Sequence, residues 1–372
     1  MDVAIIGAGL IGLAGAFELR KRGAEVVVFE RDAAAHAASW AAAGMLAPYS
    51  EALDDAALEA LCLASLARYP AFVAELAERT GVDAHLRLDG TLHLAFDAAE
   101  EGRLAKLAAT VRTPARMLSR AELLEAEPMV SKEAIAALLI DGEGQVDNRR
   151  LGRALLGAVR DAGVRVEEHS GEIAVESDAR RILGLRTPRG FRPAHSVVNA
   201  TGAWAGALPG SAFAVAVRPK KGQMIALAVP RGFARRLVWT ADVYLVPRMD
   251  GRLLIGATVE DAGFDQRVTA EGIATLLGAA LRAAPSLGGF TVSETWAGLR
   301  PASADGRPFI GATSIDGYYL AAGHYRNGIL LTPVTAELLA DAIEGRKSSI
   351  DAAPFDPRRP PEHVDVSWNR TA

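Results

Sequence analysis

The chain has 372 residues, half of them apolar, with 41 Lys and Arg against 45 Asp and Glu and a formal net charge of −4. That length supports two sizeable cores, and that charge supplies neither a basic field for nucleic acid nor a polybasic membrane anchor. A single cysteine, Cys62, excludes an intrachain disulfide and fits a reducing, cytoplasmic setting.

Asp2–Ile6 reads as a short buried strand that leads straight into Gly7-Ala8-Gly9-Leu10-Ile11-Gly12. A strand starting at residue 2 leaves no room for a cleaved signal, and Asp2 and Glu18 interrupt any apolar run long enough to span a bilayer. No stable membrane insertion is expected. Helical spacing runs from Gly9 to Arg22, with Leu10, Leu13, Phe17 and Leu19 apolar. Gly23 ends it, and Ala24–Phe29 forms a second strand closing on Glu30. This is the G-x-G-x-x-G fingerprint in its strand–turn–helix–strand context. Gly7 permits the tight turn, Gly9 lets the backbone approach a pyrophosphate, and Gly12 lets helix and strand pack closely. The pyrophosphate belongs at the helix N-terminus, where free N–H groups and the dipole favour an anion. Glu30 stands where an acid accepts hydrogen bonds from ribose hydroxyls, which argues against a 2′-phosphate and so against NADP. FAD and NAD both remain open at this point.

Arg31–Ser50 is alanine-rich. In Ser39-Trp40-Ala41-Ala42-Ala43-Gly44-Met45-Leu46-Ala47-Pro48, small side chains and Gly44 allow a flat, uncharged group to lie against the backbone. Ser39 can donate to a phosphate oxygen. A packed small-residue helix followed by a Pro turn reads equally well. Leu53–Thr80 is helical in pattern, interrupted near Tyr69-Pro70, with Cys62 as a buried structural thiol. His85–Phe96 alternates about Asp89-Gly90 and reads as a hairpin, with His93 on the exposed parity. Ala98–Val111 is a helix. Ser119 and Glu122 form a capping box for the helix through Ala126, which Pro128 stops.

Asp147–Ala162 is a strongly amphipathic helix ended by Gly163. Val164–Glu167 and Glu172–Glu176 are strands, and Ser196–Gly202 is a strand entering a glycine turn and a short helix from Ala203 to Leu208. This returns the chain to the nucleotide sheet. Phe213–Val229, Leu237–Val246, Arg252–Thr258 and Phe290–Leu299 are strand-like around a Thr269–Ala283 helix, and their alternation suggests an antiparallel sheet. Gly317–Ala322 is a further strand. It runs into Gly323–Ile329 and a helix to about Glu344, whose N-terminus is a second anion site, with Pro333 about a turn inside it. The proline-rich Ser348–Ala372 either wraps the surface or frays.

Five stretches together resemble the D-amino-acid oxidase-like family of flavoproteins, and within it the glycine oxidases of thiazole (thiamine) biosynthesis. They are GAGLIG with Glu30; ASWAAAGMLAP at 38–48; NATGAW at 199–204; WAGLRP at 296–301 with Asp305–Pro308; and GHYRNGILLTP at 323–333. Ala302-Ser303-Ala304 departs from the Thr-Pro-Asp wording associated with that family. The resemblance implies an α+β chain. A Rossmann-type α/β FAD-binding domain would be built from residues 1–82, 141–212 and 298–372. A substrate domain on a mainly antiparallel sheet would be built from 83–140 and 213–297.

It further implies non-covalent FAD. Gly7, Gly9, Leu10, Ile11 and Gly12 would form the pyrophosphate turn, and Glu30 and Arg31 would lie at the adenosine end. Ser39, Ala42, Ala43, Gly44 and Met45 would run along the pyrophosphate, ribityl chain and ring. Val175 would hold adenine by its backbone, and Thr201, Gly202 and Trp204 would come from the second turn. Tyr325, Arg326, Asn327, Gly328, Ile329 and Leu330 would lie at the flavin with Arg300, the N–H groups of Arg326–Leu330 facing the N1/O2 edge. A helix N-terminus there suits the negative charge of a reduced flavin.

A substrate carboxylate calls for a cation, and a guanidinium adds two parallel hydrogen bonds. The resemblance, more than its place after an apolar strand and before Pro301, makes Arg300 the candidate; the alternative is a surface arginine. Tyr244 would add a hydroxyl or else is a strand packing residue. Arg326 either assists or simply opens a helix, and His324 is read as structural. The expected activity is oxidative deamination of a small amino acid of the glycine, sarcosine or D-alanine class, with O2 reduced to H2O2. No side chain is required as a base. Rival readings are a sarcosine or other N-methyl amino-acid oxidase, a D-amino-acid dehydrogenase, and a non-catalytic flavin-binding subunit. The resemblance also implies a homo-oligomer.

Overall fold

The structure, a computed structural model, describes residues 1–51, 55–178, 180–211 and 213–359. Two sheets organise it. The first has six strands in the order Phe309–Ala312, Tyr318–Ala322, Ser196–Asn199, Val3–Ile6, Val26–Phe29 and Arg165–Glu167. All neighbours are parallel except the Phe309–Ala312 edge strand. Its central strands are apolar on both faces because both are covered. Val3, Ile5, Val26 and Val28 pack into a core with the helices Leu10–Lys21, Ala56–Thr80, Asn148–Asp161 and Thr332–Glu344. Ala4, Ile6, Val27 and Phe29 face a three-stranded sheet, Ala174–Ser177, Ile182–Thr187 and Gly190–Pro193, through Val175 and Leu185.

The second sheet has eight strands and is antiparallel apart from one parallel pair, Leu237–Trp239 beside Thr91–Ala95. Its backbone is the long pairing of Val217–Ala228 with Thr291–Ser303, which runs from Val217↔Ser303 to Ala228↔Thr291. The helix Ala270–Ala283 covers one face through Leu276, Ala280 and Ala283. The fold is thus α+β, a nucleotide-type parallel sheet joined to an antiparallel one.

Several elements differ from the sequence reading. There is no hairpin about Asp89-Gly90. Arg87 bridges to Gln145, whereas Thr91–Ala95 pairs with Ala136–Ile140 and Leu237–Trp239. Leu86 and Leu88 pack against the first core and Leu92 and Leu94 lie in the second, so the turn is a crossing between sheets. His93 is buried, because every position of its strand is covered on both faces and parity carries no information there. Leu237–Val246 divides into two strands, Leu237–Trp239 and Tyr244–Pro247.

The Ala56–Thr80 helix runs unbroken through Pro70, which sits on its exposed side; the expected start at Leu53 falls outside the described residues. Its 25 residues have the length and apolarity to cross a bilayer. Here Leu58, Leu61, Cys62, Ser65, Tyr69 and Leu76 are buried in the core, and Ser65 and Tyr69 donate to the carbonyls of Leu330 and Ile329. These tethers hold both halves in line and outweigh the proline's missing donor. The capping box at Ser119 and Glu122 is present.

Candidate active site

Between the two sheets lies a cavity of about 840 Å³. One end is the Gly7–Gly12 turn. Gly7 has φ of +103°, and a Cβ on it would stand 2.5 Å from the Ala200 carbonyl oxygen. A Cβ on Gly12 would stand 1.9 Å from the Gly7 oxygen, so Gly12 works from behind the cavity wall by letting the helix close on the turn. The Glu30 carboxylate accepts from Ala8 N at 2.8 Å and Asp32 N at 3.0 Å, which fixes it at the wall. The Arg31 guanidinium lies 4.8 Å over the Trp204 ring, and Thr201, Gly202 and Trp204 line the same end. Ser39 Oγ accepts from Leu10 N at 3.0 Å at the helix N-terminus and keeps its own proton to donate.

The middle of the wall is the short Ala37–Ala41 helix followed by Ala42, Ala43, Gly44 and Met45. Gly44 has φ of +70°, and a Cβ there would stand 2.1 Å from the Val146 oxygen. Behind it lies a residue that the sequence did not announce. The Arg248 guanidinium is buried and donates at 2.8 Å to both the Ala43 carbonyl and Asn148 Oδ1, and also to Gln145 and Val146. Burial pushes its pKa down to about 10. Trp296 Nε1 donates to the Ala41 carbonyl at 2.9 Å. The small-residue wall is therefore clamped from the antiparallel sheet.

At the far end, Arg300 and Tyr244 line the cavity together. Arg300 Nη1 donates to Thr258 O at 3.1 Å and Lys221 O at 3.4 Å. Among the described residues no carboxylate pairs with it. Its guanidinium occupies the space over Gly222, where a Cβ would meet Nη1 at 2.2 Å. Tyr244 Oη lies 3.4 Å from Met224 Sδ. Burial raises the hydroxyl's pKa, against the pull of nearby Arg300, and keeps it protonated.

Arg326 also lines the cavity, but its Nη1 is 3.2 Å from Glu51 Oε2. Burial alone would lower its pKa; Glu51 and Tyr325 outweigh that and raise it. Arg326 opens no helix. Tyr325 takes φ of +45°, its N–H bonds Pro301 O at 2.8 Å, and the helix begins only at Thr332 with Pro333 in its first turn. The expected anion site is therefore a turn. Asn327, Gly328 and Ile329 line the cavity. Among the described residues the N–H groups of Gly328, Ile329 and Leu330 have no protein acceptor. The Ile329 carbonyl points to Tyr69, and in a trans peptide the Leu330 N–H then points the opposite way. The Leu330 side chain itself lies in the core, off the cavity wall.

Val175 is the site expectation that the structure removes from the wall. Its N–H bonds Pro209 O at 2.8 Å and its side chain lies in the core under the parallel sheet; Gly171, Glu172 and Ile173 line the cavity there instead. His324 is buried with Nε2 3.0 Å from Thr335 Oγ1, and burial pushes its pKa down to about 3. His93 Nε2 lies 2.7 Å from Ser50 Oγ and its ring stacks on Trp239, with burial pushing its pKa down to about 4. Sequence reasoning also missed Glu51 and Gly222. An interior glycine in a strand marks a close approach, and Gly222 carried that signal; nothing near Glu51 announced it.

The donor set fits a flavin dinucleotide. Backbone N–H groups are presented at both ends, the wall between is small and uncharged, and an acid stands where ribose hydroxyls would lie. The chain matches the family described as FAD dependent oxidoreductase over residues 2–342. It is 39% identical over 361 residues to a glycine oxidase of Geobacillus kaustophilus, covering 95% of this chain and 96% of that protein. The crystal structure of glycine oxidase from Geobacillus kaustophilus superposes with a TM-score of 0.91 at 38% identity, covering 96% of this chain and 98% of that one. A bifunctional protein ThiO/ThiG of Nostoc is 37% identical over 351 residues, which cover 93% of this chain but 53% of that protein, so the chain spans about half the length of such relatives. The iminodiacetate oxidase of Chelativorans sp. BNC1 superposes with a TM-score of 0.86 at 28% identity, covering 96% of this chain and 99% of that one.

Proposed function

The chain belongs to the family of FAD-dependent oxidoreductases, and from that premise we propose that it oxidises glycine or another small amino acid in service of thiazole formation. The products are the imine, which water converts to the 2-oxo acid and ammonia, and H2O2. FAD, when bound, supplies the two-electron acceptor and returns the electrons to O2. Gly7, Gly9, Leu10, Ile11 and Ser39 would hold its pyrophosphate, Glu30 its ribose, and Ala42–Met45 the ring and its chain. The 328–330 N–H groups, which have no protein acceptor among the described residues, would face the edge of the bound group where negative charge develops.

The observation that carries the reading is Arg300. It is a guanidinium on the cavity wall with no carboxylate partner among the described residues, anchored by two backbone carbonyls and set beside the Tyr244 hydroxyl. Arg300 takes the substrate carboxylate by two parallel hydrogen bonds and Tyr244 adds a third. That clamp fixes the α-carbon and turns its C–H toward the flavin, so that positioning and electrostatics do the catalytic work. The 39% identity to a glycine oxidase supports the substrate class. The match to the bifunctional ThiO/ThiG proteins supports the pathway.

The test is H2O2 production by the flavin-loaded protein with glycine, sarcosine and D-alanine. Arg300→Ala should lower kcat/KM on the order of 10²-fold or more while flavin is retained; wild-type kinetics in that variant overturn the assignment. The fold's likeness to iminodiacetate oxidase favours one alternative, an N-substituted glycine as the preferred substrate. A higher kcat/KM for sarcosine than for glycine would select it.

A further inference from the structure

Glu51 and Arg326 are 275 residues apart in the chain, yet their side chains meet at 3.2 Å on the wall of the substrate end of the cavity. The Glu51 side chain is only 8% exposed and that of Arg326 23%. The pair is set apart from bulk water, with carboxylate and guanidinium facing each other. The pair changes what this end of the cavity presents. Two guanidiniums, Arg300 and Arg326, line it, but one already carries a carboxylate of the protein's own. Asp242, also on the wall, lies on the exposed surface 3.8 Å from Arg282. The acids Glu30, Asp32 and Glu172 stand with the nucleotide end.

Resting on the functional reading above, we propose that Glu51 sets the charge of the substrate: by neutralising Arg326 it restricts the cavity to amino acids with one carboxylate and discriminates against amino dicarboxylates. Arg300 takes the single carboxylate. A second one entering the cavity meets the Glu51 carboxylate rather than an open cation. Inside a site of low dielectric, like charges at close range repel strongly enough to dominate selectivity. Glu51 is a specificity-determining residue and takes no part in the bond changes.

The test uses the flavin-loaded enzyme with sarcosine and iminodiacetate, which differ by one carboxylate on the N-substituent, and with glycine as reference. Glu51→Gln should raise kcat/KM for iminodiacetate relative to sarcosine by on the order of tenfold or more. An unmoved ratio in a variant with the wild-type flavin spectrum overturns the proposal. Arg326→Gln carries the test on its own if Glu51→Gln does not fold. Removing the guanidinium takes away the cation that a second carboxylate would seek while Glu51 stays, so the same ratio must not rise, and a raised ratio overturns the proposal. Failure of the underlying reading is distinguishable: the wild-type protein then oxidises none of the three compounds, and the proposal falls with it.

Discussion

Gly222 and Arg300 work as a pair. The arginine can lie flat across its neighbour strand only because residue 222 has no side chain; a Cβ there would stand 2.2 Å from Nη1. The contact is to the end of a flexible side chain, so a substitution should move the guanidinium rather than unfold the sheet. Gly222→Ala is therefore expected to keep its flavin absorbance and melting temperature close to wild type. Its kcat/KM should fall on the order of tenfold to 10²-fold, since a shift of about 1 Å in a positioning group has costs of that size. Steady-state kinetics beside a thermal melt checks it, and an unfolded or flavin-free variant contradicts it. Tyr244 depends on a glycine in the same way, since a Cβ on Gly256 would stand 2.6 Å from its ring.

At the scale of elements, the glycine turn and the 325–331 turn do related work by different means. The first presents the N-terminus of the Leu10–Lys21 helix, while the second presents a run of N–H groups before its helix has begun. The first tolerates nothing at position 12. A Cβ there meets a backbone oxygen at 1.9 Å, and that oxygen cannot move without opening the strand–helix joint. Gly12→Ala should therefore give protein that binds no FAD and melts lower than wild type. Absorbance after incubation with excess FAD measures this, and a yellow, wild-type-like variant contradicts it. The local signals of this unit were legible because every constraint is short-range: turn, cap and acid lie within one βαβ unit. The 325–331 turn was misread as a helix start. Its geometry is imposed from outside, by Pro301 taking the Tyr325 N–H and by Ser65 and Tyr69 taking the Leu330 and Ile329 carbonyls.

At the scale of the whole molecule, two buried histidines couple stability to acid. His93 and His324 have their pKa values pushed down to about 4 and about 3 by burial, whereas an unfolded histidine titrates near 6.5. The unfolded chain therefore takes up protons that the folded chain refuses. Stability is full above about pH 6.5 and falls as the pH drops from there toward about 4, by up to ~1.4 kcal/mol per pH unit for each histidine. Denaturant titrations between pH 7.5 and 5 should show this slope, and His324→Gln should flatten it by one proton's worth. An unchanged slope in that variant contradicts the assignment of a neutral, buried ring.

The family resemblance brought Arg300 forward, and the alanine-rich stretch read equally well as a packed helix; the amino-acid sequence by itself determined the dinucleotide turn, the acid at residue 30 and the antiparallel second sheet. Each is written in spacing or in residue types whose chemistry needs no distant partner. Only the tertiary structure decided the rest. It buried His93 on a strand covered on both faces, took Val175 off the wall, replaced the 85–96 hairpin with a crossing between sheets, and set Arg248 behind Ala43. It also joined Glu51 to Arg326 across 275 residues. These depend on which side chains meet when two sheets close on one another, and that is a property of packing which no local pattern encodes.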